Sequence, residues 1–154
     1  QRPGMKKAQM NLQTSASLGA VLGALIGDAV GGTLEFLGYK PSVAEVANAM
    51  RLPGGGVFQL APGQFTDDGE MTVTLLRTLN ASGGAYEPDL VAAAYCDWAN
   101  SSPFDIGNAT SQALRTPYGH QVSCQSIQAQ AAAVNSDSKA NGCLMRATPL
   151  GQPP

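Results

Sequence analysis

The sequence predicts an all-α fold, a helical bundle, and three observations carry that expectation. Apolar residues recur at three- and four-residue spacing in several stretches, as in Met71, Leu75, Leu76 and Leu79. No stretch alternates apolar and polar residues for long, which removes the signature of half-buried strands. Clusters of glycine, proline and small polar residues punctuate the chain between the helical stretches. The length of 154 residues suits one domain, since domains commonly run to roughly 100–150 residues. No internal repeat and no linker divides it.

Taken in order, residues 1–15 are polar and are expected to fray, leaving 16–154 as the body of the domain. From Ala16 the chain turns helical, with glycines at 19, 23, 27 and 31 on one slowly drifting stripe. Each glycine costs roughly 0.8–1.0 kcal/mol against alanine in a helix, so the stripe predicts close approach of another helix or a ligand. Gly31-Gly32 either ends this helix or lets it continue, in which case Asp28 and Glu35 share a face. Ser42 to Met50 predicts a short helix with a Ser42–Glu45 capping box. Leu52 to Phe65, holding PGGG and APGQ, reads as a loop with at most a brief extended piece. The helix marked by Met71 to Leu79 ends at Ser82-Gly83-Gly84. Glu87-Pro88-Asp89 opens the next, carried by Val91, Ala94, Tyr95 and Trp98. Asn100 to Pro103 is a turn, Ile106 to Leu114 a further helix, and Thr116 to Gly119 its end. Ser123 to Val134, rich in Ala and Gln, is helical by propensity.

Composition removes several functions. Charged residues are 13% of the chain and the net charge is -2, against roughly 25% charged residues in ordinary soluble proteins. Nine scattered cations make no basic patch, so no nucleic-acid partner is expected. Met5-Lys6-Lys7 ahead of the apolar run Leu18 to Ile26 has some look of a secretory signal. Ten mostly polar or small residues separate the two, however, and Asp28 stops the run well short of the roughly 18 apolar residues a membrane span needs. No membrane partner is therefore expected. Cys96, Cys124 and Cys143 are odd in number and hold no C-x-x-C, which suits reduced thiols in a cytoplasmic protein. His120 is the only histidine; one imidazole cannot build a multi-histidine zinc site, and its PYGHQ context reads as an exposed loop.

The carboxylates carry more information. Asp28, Glu35, Asp67, Asp68, Glu70 and Asp105 fall beside glycines or in turn-like segments, whereas Glu45, Glu87, Asp89, Asp97 and Asp137 look like ordinary surface. In QFTDDGEM, Asp67 as helix cap with Glu70 three residues on is a capping-box variant, and this is the plainer reading of the motif. The cap leaves Asp68 unexplained. Two adjacent carboxylates and the Thr66 hydroxyl also offer hard oxygen donors to Mg²⁺, which would relieve the Asp67–Asp68 repulsion. In SSPFDIGNAT, Asp105 or Asn108 reads as another cap. In NGCLMR, the Asn141-Gly142 turn offers backbone N–H groups suited to a phosphate.

The order GALIGDAVGGTLEF, FTDDGEM, DIGNAT, ANGCLMRATPL resembles the ADP-ribosylglycohydrolase family, over roughly residues 18–150. The resemblance implies an all-α, magnesium-dependent enzyme that hydrolyses the bond between ADP-ribose and a modified protein side chain or small acceptor. Residue by residue, it implies Thr66, Asp67 and Asp68 as ligands of a pair of Mg²⁺ ions. Glu35 and Asp105 are implied as the catalytic carboxylates, the first as acid/base or gate of the metal site and the second assisting water or substrate. Asn141, Gly142, Cys143 and Met145 are implied to wrap the phosphates and ribose, with Asp28 supporting the site from behind. The implied partners are an ADP-ribosylated protein or an ADP-ribose-containing small molecule.

The chemistry of the residues agrees with this resemblance. A glycosidic bond at ribose C1 breaks through an oxocarbenium-like state attended by carboxylates, and metal-activated water removes the need for histidine. Glu35 would need a raised pKa, for which Leu34 and Phe36 are the apolar neighbours at hand. The family also carries a second aspartate cluster of D-x-D-T/S type, whereas this chain runs to ATPLGQPP, and Gly69 stands where Thr or Ser is usual. The expectation is a fragment of a longer enzyme that exposes apolar surface and is inactive alone. Two other readings stand beside it: a non-catalytic ADP-ribose-binding module, and a small helical packing protein whose acids are all caps.

Overall fold

A computed structural model describes residues 3–116 and 122–151, with side chains from residue 15 onward. Its helices are α1 (Pro3–Gly31), α2 (Val43–Ala49), α3 (Asp67–Ala81), α4 (Pro88–Asn100), α5 (Asn108–Leu114) and α6 (Cys124–Asn135). A short 3-10 turn, Thr148–Gly151, follows. The described residues hold no β-strand, only an isolated bridge between Gly55 and Leu60. The all-α expectation is borne out. The residues form two compact units: one from the residues through Thr66 with the Thr148–Gly151 turn, the other from Asp67–Ala147.

In the first unit, α1 starts at Pro3, well before the expected Ala16. Proline is at home in the first helical turn, and Ala8, Met10, Leu12 and Gln13 are good helix formers. Helix α1 ends at Gly31, so Asp28 and Glu35 do not share a helix face; Glu35 lies in the turns that follow. No neighbour lies within 4 Å of a Cβ built at Gly19, Gly23, Gly27 or Gly31, so the close packing expected of that stripe is not present among the described residues. Leu18, Leu22 and Ile26 are 58%, 45% and 48% exposed, which leaves one side of α1 apolar and open. No described helix is long and apolar enough to cross a membrane.

Helix α2 opens with the predicted capping box. The Glu45 N–H donates to Ser42 Oγ at 3.3 Å, and the Ser42 N–H returns to Glu45 Oε2 at 2.8 Å. The 52–63 loop then packs against the turn that carries Glu35. A Cβ at Gly56, where φ is +69°, would sit 2.7 Å from the Thr33 carbonyl oxygen, so only glycine allows this approach. Leu60 is buried in the same region.

The second unit holds the larger core: Met71, Leu75, Val91, Tyr95, Cys96, Ala99, Ala113 and Leu114, drawn from α3, α4 and α5. Helix α3 lines this core with the predicted apolar stripe. It also buries Thr72, whose hydroxyl donates to the Asp68 carbonyl at 2.7 Å, so the polar atom is satisfied inside the helix. At its C-terminus, Gly83 and Gly84 adopt φ of +66° and +91°, and the Gly84 N–H donates to the Leu79 carbonyl at 2.8 Å. Pro88 begins α4 as predicted. Helix α6 opens with a capping box between Ser123 and Ser126. His120 lies outside the described residues.

Candidate active site

In the first unit the site is built where α1 ends. Asp28, one turn before the end of α1, reaches the last residue before α3. Its Oδ2 accepts from the Thr66 N–H at 2.9 Å and its Oδ1 accepts from the Thr66 hydroxyl at 2.6 Å. Close packing makes the pairing possible: a Cβ at Gly32 would stand 2.8 Å from Thr66 Cγ2 and 3.0 Å from Leu60 Cδ1. Thr66 is 3% exposed. Because its hydroxyl gives its proton to Asp28, the oxygen keeps lone pairs for another partner. Glu35 is exposed, and Phe36 beside it is 68% exposed in a left-handed conformation at φ +57°. The apolar enclosure expected around Glu35 from Leu34 and Phe36 is therefore absent. Phe36 turns instead to Phe58, ring edge to face with centroids 5.7 Å apart.

In the second unit the two aspartates stand in the first turn of α3, where the helix dipole favours negative charge. The capping reading is not what the structure shows. The helix begins at Asp67 itself, and Asp67 Oδ2 accepts from the Gly107 N–H at 3.3 Å. Glu70 accepts from Trp98 Nε1 at 2.7 Å, so its carboxylate serves to tie α3 to α4. Asp67 is 9% exposed and Asp68 half-buried. The cap of α5 also differs from expectation: Gly107 flanks it with no side-chain cap bond, Asn108 is its first residue, and Asp105 stands upstream, half-buried. The D-I-G motif thus meets Asp67 through a backbone amide.

The fourth motif forms a turn. The N–H groups of Leu144 and Met145 both donate to the Asn141 carbonyl, at 2.7 and 3.1 Å. Asn141 and Cys143 are exposed, Gly142 and Met145 half-buried. Gly142 packs so closely on Thr110 that a Cβ would lie 3.0 Å from Thr110 Oγ1. A cavity of about 480 Å³ runs beside this turn between α4, α5 and α6, walled by Tyr95, Thr110, Asn135, Gly142, Cys143 and Arg146.

Arg146 is the residue that sequence reasoning passed over. Its Nη1 donates to Met71 Sδ at 3.0 Å, and its guanidinium carbon lies 4.9 Å from the centre of the Tyr95 ring. Burial lowers the Arg146 pKa, while Tyr95, Cys143 and Asp67 act to raise it. Burial likewise pushes the Tyr95 phenol up to about 12, against the pull of Arg146. The one available signal was isolation, since Arg146 is the only charge after Lys139.

Two carboxylates and a hydroxyl, consecutive as Thr66, Asp67 and Asp68, are the hard oxygen donors that Mg²⁺ takes. The donors fit that ion in kind. Among the described residues, no group of three or more His, Cys, Asp and Glu gathers as a complete ligand cage.

The sequence profile described as ADP-ribosylglycohydrolase matches residues 9–153. The chain is 34% identical over 142 residues to the ADP-ribosyl-[dinitrogen reductase] glycohydrolase of Rhodospirillum rubrum, covering 89% of the chain and 46% of that protein. It is 42% identical over 103 residues to the ADP-ribosylarginine hydrolase Tri1 of Pseudomonas putida, covering 62% of the chain and 26% of that protein. Among solved structures, a chain of an ADP-ribosylglycohydrolase-related protein complex superposes with a TM-score of 0.58 at 29% identity. That match covers 87% of this chain and 41% of the other. The chain spans less than half the length of each of these relatives.

Proposed function

The chain belongs to the ADP-ribosylglycohydrolase family, and from that premise we propose that it serves the hydrolysis of the glycosidic bond between ADP-ribose and a modified protein side chain. The observation that carries this reading is the Asp28–Thr66 pair. A carboxylate that gives each of its oxygens to one threonine fixes the orientation of that hydroxyl, at the head of the helix that bears Asp67 and Asp68. A packing protein with acids as caps would not need this bond, and the bonds seen at Asp67 and Glu70 come from Gly107 and Trp98, outside α3.

In this reading Thr66, Asp67 and Asp68 hold magnesium ions. Bound there, Mg²⁺ would supply charge for orienting ribose hydroxyls and a lowered pKa for bound water. The chain's own residues do the rest. The Gly107 amide holds one oxygen of Asp67, limiting the ways in which that carboxylate can turn. The Asn141–Met145 turn holds ADP-ribose, and Glu35, exposed in the turns after α1, carries a proton to the leaving acceptor. ADP-ribosylarginine is the first acceptor to try, because a relative's name specifies it.

The test is release of ADP-ribose from arginine-modified protein. It is run with the chain alone and with the chain joined to the C-terminal segment of the Rhodospirillum relative. Release in Mg²⁺, lost in EDTA and reduced at least about 100-fold by Asp67→Asn, is expected of the joined form. Absence of release from arginine-, serine- and small-molecule-linked ADP-ribose by both forms would overturn the reading.

A further inference from the structure

We propose that Arg146 is a positioning residue that seats the Asn141–Met145 turn by pinning it to the Tyr95 ring on α4 and the Met71 thioether on α3. An arginine has five N–H donors in a rigid fork and is normally spent on carboxylates, phosphates or carbonyls. Here Nη1 donates to a thioether sulfur, a weak acceptor, and the guanidinium plane covers an aromatic ring. Met71 is 0% exposed and Tyr95 9%, so both anchor points are buried in the core of this unit. Nη2 lies 3.8 Å from the position of a Cβ on Gly142, which places the guanidinium directly beneath the turn.

The turn's internal bonds return to Asn141 and Leu144, which shape it without tying it to a helix. Gly142 closes on Thr110, and Met145 packs against the core of this unit. Leu144 is 73% exposed and adds little burial. Arg146 supplies the polar pin beside these two contacts. By seating it, Arg146 orders the turn expected to hold ADP-ribose. That functional consequence rests on the reading above, whereas the seating stands by itself.

The test is amide hydrogen exchange of the 154-residue chain. In Arg146→Met, which keeps apolar bulk and loses the fork and charge, exchange at Leu144, Met145 and Ala147 should rise at least about tenfold, with α3 and α4 unchanged. Arg146→Lys, which keeps a cation over the ring, should recover part of that protection. Tyr95→Leu should loosen the turn as Arg146→Met does, and Tyr95→Phe, which keeps the ring, should not. Unchanged exchange in the turn of Arg146→Met overturns the proposal, as does a rise shared equally by α3 and α4. If Arg146→Met does not fold, equal turn exchange in Arg146→Lys, Tyr95→Phe and the parent chain overturns it. ADP-ribose titrated into the same variants separates the two claims. Binding by the parent that weakens about tenfold in Arg146→Met supports the ordering of an ADP-ribose-binding turn by Arg146. No binding by any form refutes the functional reading and leaves the exchange result to decide the seat.

Discussion

Asp28 shows how much one side chain can decide. Both its oxygens go to Thr66, one to the amide and one to the hydroxyl. A hydrogen bond to a charged group contributes roughly 1.5–3 kcal/mol, so Asp28→Ala should destabilise the chain by about that amount in denaturant melts. Glu45 makes a different prediction. Bonds from the Ser42 hydroxyl, the Ser42 amide and the Tyr39 phenol lower its pKa to about 2. Its folded pKa lies below the ordinary value of 4.5, so its contribution is present above that value and is lost as pH falls toward 2. An NMR titration of Glu45 should show this low midpoint, and Ser42→Ala should move it upward. Tyr95 behaves in the opposite sense. Its neutral form is favoured by burial up to about pH 12, so its contribution is intact below the ordinary 10.0 and is lost as pH rises through that interval. The Tyr39 phenol is raised too, by its bond to Glu45, so absorbance titration of Tyr95→Phe against the parent should show the loss of one late-ionising tyrosine. Of these three, only the Ser42–Glu45 pair was legible in the sequence, because only there do the partners lie within one helical turn.

At the scale of elements, local signals were read well and long-range ones were not. The capping box of α2, the proline start of α4 and the glycine end of α3 all depend on neighbours within a few residues, and all appear as predicted. Helix α1 runs back to Pro3 because residues such as Ala8, Met10, Leu12 and Gln13 are good helix formers, and the polar look of the stretch was a poor guide. Glu70 was expected to cap α3, and its spacing from Asp67 allows that. What the spacing could not show was Trp98, 28 residues away, offering its half-buried indole N–H to Glu70. Trp98→Phe leaves Glu70 without that donor and should cost about 1–3 kcal/mol in thermal or chemical melts. Ser123→Ala, which removes the hydroxyl cap of α6, should cost about 1 kcal/mol by the same measurement.

At the scale of the molecule, four motifs in order were enough to name the family, and the family match confirms them. The residues they mark divide between two units. Asp28, Glu35 and Thr66 belong to the first, while Asp67, Asp68, Asp105 and the Asn141–Met145 turn belong to the second. What the motifs could not reveal was the support beneath them: the Gly107 amide on Asp67 and the guanidinium of Arg146. These contacts depend on tertiary packing and leave no periodic trace in the chain. In the function proposed above, this packing serves a magnesium-dependent ADP-ribose site. Calorimetric titration of the chain with ADP-ribose, in Mg²⁺ and in EDTA, and again with Asp67→Asn, tests it most directly. The account predicts saturable binding in Mg²⁺ that weakens at least about tenfold in EDTA or in the variant; binding of equal strength in all three conditions, or none in Mg²⁺, would contradict it.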